Sequence, residues 1–179
     1  MRRMAILLAA LALPSAAWGQ PLSERLVSPA VPGFVTGHSA SNASQSIREE
    51  VPRGESVQAW TRMVTTQRFG GLARNATPAQ YAQNVMAAVP RACPGAQVSP
   101  LASLKVSGQN AVRFQLDCPR SAGGRPETFI LLAIAGPADM HVKQVAWRGG
   151  TTPAGIAWGR QLLAETVLCL PRDRQRACQ

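Results

Sequence analysis

The chain has 179 residues, is 46% hydrophobic and 16% charged, and carries a formal net charge of +10. That length and apolar content suit one domain with a real core. The apolar run at residues 4–13 is too short to span a bilayer as a permanent helix, and no later stretch is long enough either, residues 129–135 being only strand-sized.

Residues 1–19 read as a signal peptide. Arg2 and Arg3 give a positive start, the apolar run follows, Pro14 and Ser15 break it, and Ala17-Trp18-Gly19 precede a cut before Gln20. The expected location is therefore periplasmic or secreted, with no transmembrane segment once the signal is removed. Four cysteines in an exported chain, none spaced C-x-x-C, fit disulfides rather than metal or redox chemistry. The pairs favoured are Cys93 with Cys118 and Cys169 with Cys178, and neither a metal nor a cofactor is expected. Removing Arg2 and Arg3 from the formal +10 leaves about +8, nearly all arginine, with Lys105 and Lys143 the only lysines. The arginines are dispersed until Arg172, Arg174 and Arg176, which reads as solvated faces rather than a specific nucleic-acid surface.

Residues 20–33, with Pro21, Pro29 and Pro32, read as a flexible N-terminal arm. The folded part is expected over residues 34–171. His38 to Ser46 is a polar edge strand or a loop, and Ile47 to Val51 is the second arm of a hairpin. Pro52-Arg53-Gly54 reverses the chain into a central strand over residues 57–69, whose alternation puts Val57, Ala59, Thr61 and Met63 on one face and Trp60 on the other. Thr77-Pro78-Ala79-Gln80 opens a helix with a capping box, and Pro90 should end or kink it near Val89. A hairpin turns at Ser107-Gly108-Gln109, and its second strand directs Val112, Phe114, Leu116 and Cys118 inward. Residues 127–135 are apolar at almost every position, as in a strand covered on both faces. Residues 140–148 form a further strand. Thr151-Thr152-Pro153 starts a last helix with Ile156, Leu163, Val167 and Leu170 as its stripe, Gly159 for close packing, and Pro171 as its stop. Residues 172–179 form a basic tail held by a disulfide.

Strands grouped between two helices give an α+β domain. The expectation is an antiparallel sheet of about five to seven strands covered by two helices and stapled by disulfides. This element order, over residues 34–170, resembles the PsbP/DcrB-like α/β sandwich. The resemblance implies helices on both sheet faces and a role as a binding or assembly module. Glu50-Val-Pro-Arg-Gly-Glu55 followed by Trp60-Thr61-x-Met63-x-Thr65 is similar to a pattern of small exported bacterial proteins, and implies no activity.

No nucleophile elbow, phosphate loop, dinucleotide fingerprint or zinc-protease motif occurs. The leading reading is an exported, soluble, non-enzymatic envelope module that binds a protein or ligand partner through Glu49, Glu50, Arg53, Glu55, Trp60 and Arg62. A second reading is a small periplasmic hydrolase using His38, beside Ser39, or the Glu49/Glu50/Glu55 cluster. A third is an anionic-surface binder acting through the dispersed arginines.

Overall fold

The computed structural model describes residues 24–121, 124–171 and 178. The expected signal peptide, and the tail between Pro171 and Cys178, lie outside the described residues. Ten strands and two helices follow one another as β1 (Arg25–Val27), β2 (Phe34–Ser41), β3 (Gln45–Pro52), β4 (Arg62–Phe69), α1 (Pro78–Ala92), β5 (Gln97–Val98), β6 (Ala102–Val106), β7 (Gln109–Cys118), β8 (Glu127–Ala135), β9 (Met140–Arg148), α2 (Pro153–Ala164) and β10 (Val167–Cys169). The antiparallel sheet has eight strands, one more than the expected upper bound, in the order β2-β3-β4-β9-β8-β7-β5 with β6 also on β7. A separate ribbon pairs β1 with β10.

The period-2 alternation of β8 positions the two helices. Ile130, Leu132 and Ile134 join Val64, Val145, Trp147 and the α2 residues Leu162 and Leu163 in one cluster. Leu131 and Ala133 join Phe114, Leu116, Val142 and the α1 residue Ala82 in the other. One helix therefore covers each face, and the near-continuous apolar run of β8 follows from burial on both sides. Both helix starts are chemically specified. Thr77 and Gln80 make the reciprocal capping box, and Thr152 caps α2 by accepting from the Gly155 N–H. Ser107 (φ 49°) and Gly108 (φ 78°) form the two-residue turn of the β6–β7 hairpin, the positive-φ pair that matches strand twist.

Both expected disulfides are present, Cys93–Cys118 and Cys169–Cys178. The first ties the end of α1 to the end of β7.

Four local expectations need correction. The central strand begins at Arg62 rather than at residue 57, because Ser56 and Ala59 close a tight turn by exchanging backbone hydrogen bonds of 3.1 and 3.0 Å. Pro90 does not end α1, which runs on to Ala92; proline this near a C-terminus leaves the following turn intact, and the Cys93 N–H still reaches the Val89 carbonyl at 2.7 Å. The last helix stops at Ala164, not at Pro171. Thr166 bonds back to the Leu162 carbonyl through its hydroxyl, and the apolar residues Val167 and Leu168 leave as a strand. Finally, the arm expected to be flexible contains β1, held because Glu24, Arg25 and Ser28 all find partners on the body of the domain.

Candidate functional site: an open sheet wing

Strands β2, β3 and β4 form a wing to the side of α1, which packs mainly on β7 and β8 and meets the wing at the end of β4, where the rings of Tyr81 and Phe69 lie 5.6 Å apart. Register assigns the faces. Val51, Glu49, Ile47 and Gln45 of β3 share the α1 side with Met63, Thr65, Gln67 and Phe69 of β4, while Arg48 and Glu50 share the α2 side with Val64 and Thr66. A bulge at Gly37 lets β2 keep its pairing, with Thr36 opposite Glu50 and His38 opposite Glu49. On the α1 side the wing holds a cleft of about 300 Å³ lined by Ala40, Gln45, Ile47, Gln67 and Phe69, among others.

Strand β2 is the edge. Its six residues from Thr36 to Ser41 are exposed, and among the described residues it pairs only with β3. It carries no lysine, proline or carboxylate, which are common devices for blunting an exposed edge. The bulge at Gly37 is its one such feature. A Cβ on Gly37 would lie 3.1 Å from both Val51 and Val57, so glycine keeps this strand tight against its neighbours.

The residues singled out in the sequence do not form one patch. Glu49 and Glu50 alternate to opposite faces; Glu50 pairs with Arg48 at 3.5 Å. Arg53 is exposed at the chain reversal. Glu55 accepts from both the Thr61 N–H (2.6 Å) and the Thr61 hydroxyl (2.7 Å), so it is a loop fastener rather than a free turn charge. Trp60 is 6% exposed and packs with Val51, Met63 and Ala146, under the Arg148 guanidinium 4.0 Å above its ring. It lies with Met63, not opposite it, because residues 56–60 form a loop over the α1 side rather than a strand. No helix covers it. Arg62 sits over the rings of Phe34 and Trp158 on the other side, at 5.3 and 5.8 Å.

The hydrolase pairings are not assembled. His38 and Ser39 are consecutive in a strand and point to opposite faces. The three glutamates have three different environments, as described above.

Two buried titratable groups lie instead on the α2 side of β9, beneath residues 24–28. His141 is 1% exposed and its Nε2 is 3.2 Å from Glu24, whose other oxygen accepts from the Ala138 N–H at 2.7 Å. Burial pushes the imidazole below its ordinary range, and Glu24 and Asp139 oppose that shift. Asp139 is held below the usual carboxylate range by the Gly71 N–H and the Arg68 guanidinium, which outweigh its partial burial. Glu24, Asp139 and His141 offer ligand atoms within 4.8 Å of one another, a donor set that suits a divalent cation. Here Arg68, 2.7 Å from Asp139, supplies the positive charge, and the carboxylates are occupied by backbone donors. Lys143, 2% exposed, donates to the hydroxyls of Ser28 (2.5 Å) and Thr66 (3.2 Å). Its ammonium is pushed down to about 8 by burial, with Glu50 opposing. Together these contacts fasten the N-terminal segment across the sheet. The sequence signal for them is a histidine and one of two lysines at alternate positions of a strand that also carries Val142, Val145, Ala146 and Trp147.

No family model and no curated relative matches the chain. Among solved structures, LpqN of Mycobacterium tuberculosis, described as involved in cell envelope biogenesis, is similar at a TM-score of 0.51 and 12% identity, over 86% of this chain and 88% of that one. A Pseudomonas aeruginosa protein of unknown function, described as a putative regulator, is similar at 0.46 and 16% identity over 88% of each chain. The Saccharomyces cerevisiae Ran-binding protein Mog1p is similar at 0.49 and 10% identity, over 80% of this chain and 90% of that one. At such identities the likeness is one of fold: the chain is an α/β sandwich with an antiparallel sheet between two helices.

Proposed function

We propose that the protein is an exported, non-enzymatic module of the bacterial envelope that binds a partner protein through the β2–β3–β4 wing, in the manner of PsbP/DcrB-like binding modules. The observation that carries this reading is the eight-residue edge strand β2 beside an uncovered cleft. An extended segment added to β2 would gain main-chain hydrogen bonds, and the cleft would take alternate side chains. The two disulfides and the N-terminal signal pattern support the exported location. Burial of His141 and Lys143 beneath residues 24–28 keeps the two perturbed groups from acting on a substrate.

The test is affinity capture from an envelope extract by the exported protein and by its Ala40→Lys variant. Ala40 is exposed, so the change should leave stability within about 0.5 kcal/mol. A lysine on an edge strand opposes further pairing. Loss of a captured protein at least tenfold is the expected result. Equal capture by both forms would remove β2 from the interface.

A further inference from the structure

The α2 side of the sheet carries a cleft at the end of the strand order opposite to the wing. Its volume is about 280 Å³, and it lies between the β6–β7 hairpin and the last turn of α2. Leu104, Leu132 and Leu163 give it apolar walls. Most polar side chains of the lining are already committed. The Ser107 hydroxyl accepts from the Leu168 N–H at 3.0 Å, the Thr166 hydroxyl donates to the Leu162 carbonyl at 2.9 Å, and Lys105 donates to Asn110 at 2.7 Å. Arg113 is the exception. Register sets it opposite Leu132 of β8 and Ala102 of β6, on the face away from Val112 and Phe114, which pack under α1. Its guanidinium has no hydrogen-bond or ion-pair partner among the described residues, the side chain is partly exposed, and none of its nitrogens is sealed from solvent. The carbonyls that end α2 do not claim it, since those of Gln161 and Leu163 accept from the Glu165 and Thr166 N–H groups at 2.9 and 3.3 Å. No carboxylate lines the cleft. A second cation stands close by instead: Arg160 of α2 donates at 3.4 Å to Gln115, the next residue on the same face of β7.

We propose that this cleft binds a carboxylate carrying a short aliphatic chain, its head held by Arg113 at the mouth and its chain laid along Leu104, Leu132 and Leu163. The planar guanidinium fork matches a carboxylate with two parallel N–H···O bonds. One unpaired arginine balances one negative charge, which suits a monoanion. An apolar cavity of roughly 150 Å³ accepts benzene, so 280 Å³ accommodates a chain of about eight carbons. An alcohol of the same length would keep the apolar contacts but forgo the charge-assisted bonds, and an ammonium head would meet the like charges of Arg113 and Arg160. The cleft shares no residue with the wing, so the site is independent of the partner reading given to β2.

The experiment is an NMR titration of the oxidised protein with three probes of equal chain length, octanoate, 1-octanol and octylammonium, all in monomeric solution. Saturable shifts centred on Leu104, Leu132, Leu163 and their neighbours are expected for octanoate, with weaker binding of 1-octanol and weakest of octylammonium. Arg113→Gln should weaken octanoate about tenfold or more, the effect of losing a charged hydrogen-bond donor, and leave 1-octanol unchanged. Arg113 has no partner in the fold to lose, so this variant should keep the native spectrum elsewhere. Ala164→Trp, at an exposed position of the lining, should block all three probes. Octanoate shifts that do not saturate, or that centre on other residues, would overturn the site. Octanoate binding no tighter than 1-octanol, or equal loss of the two in Arg113→Gln, would overturn the recognition of a carboxylate.

Discussion

Burial pushes the Lys143 ammonium down to about 8 from an ordinary 10.5. The sign of the linkage follows. Between these values the unfolded chain binds more protons than the folded one, so stability rises with pH from about 8 to 10.5 and is lower by a constant amount below 8. The span corresponds to about 3 kcal/mol. Lys143→Met should remove most of that slope in urea denaturation measured across the window, because no ammonium then remains to be buried; an unchanged slope would show that Lys143 is solvated. Trp60 is the other residue whose role turns on burial. Trp60→Ala should cost about 3–5 kcal/mol, since it opens a cavity over Val51, Met63 and Ala146 and removes the ring beneath Arg148. Glu55→Gln should cost about 1 kcal/mol, more than an exposed turn charge, because both Glu55 oxygens accept from Thr61. Denaturation of the two variants checks both values.

The elements with local chemistry were legible in the sequence. The Thr77–Gln80 capping box, the Ser107-Gly108 turn and the two-sided strand β8 depend on residues within a few positions of each other, and each stands where its pattern placed it. What was not legible depends on distant partners. The short strand β1 exists because β10 lies beside it, and β10 separates from α2 because Leu168 is fully buried rather than part of a helical stripe. Alternation in the letters puts Trp60 on the face opposite Met63, whereas the turn from Ser56 to Ala59 interrupts it and leaves the two side chains together. Gly159 allows close packing, and a Cβ there would meet the Trp147 ring at 2.5 Å. Gly159→Ala should therefore destabilise by about 1–3 kcal/mol despite alanine's better helix propensity, measurable by chemical denaturation. A stabilised variant would mean that α2 can move away from β9.

At the scale of the whole molecule, the sheet is covered by a helix on each face over β7 to β9, still buries Val51, Met63 and Val64 on β3 and β4, and is exposed along β2 from Thr36 to Ser41. Exposed arginines occur on both sides and on several elements, among them Arg48, Arg62, Arg74, Arg91 and Arg160. Binding to heparin should accordingly be weak and lost near physiological ionic strength through counterion release; retention at that salt would point to an arginine face. The residues singled out in the sequence lie on or beside the strands of the proposed wing and do not form one patch. Glu49, Trp60 and Arg62 drew notice as unusual residue types, whereas the exposed edge is made of ordinary ones, Thr36 to Ser41, whose significance is their position at the end of the strand order. The most direct test of recognition at that edge is photo-crosslinking in the producing cell. A photoreactive residue at Ser39 on β2 is compared with one at Arg91, exposed on α1. A discrete adduct from Ser39, with none from Arg91, is the expected result, whereas a discrete adduct from Arg91 alone would place recognition on the helix and contradict the role of the wing.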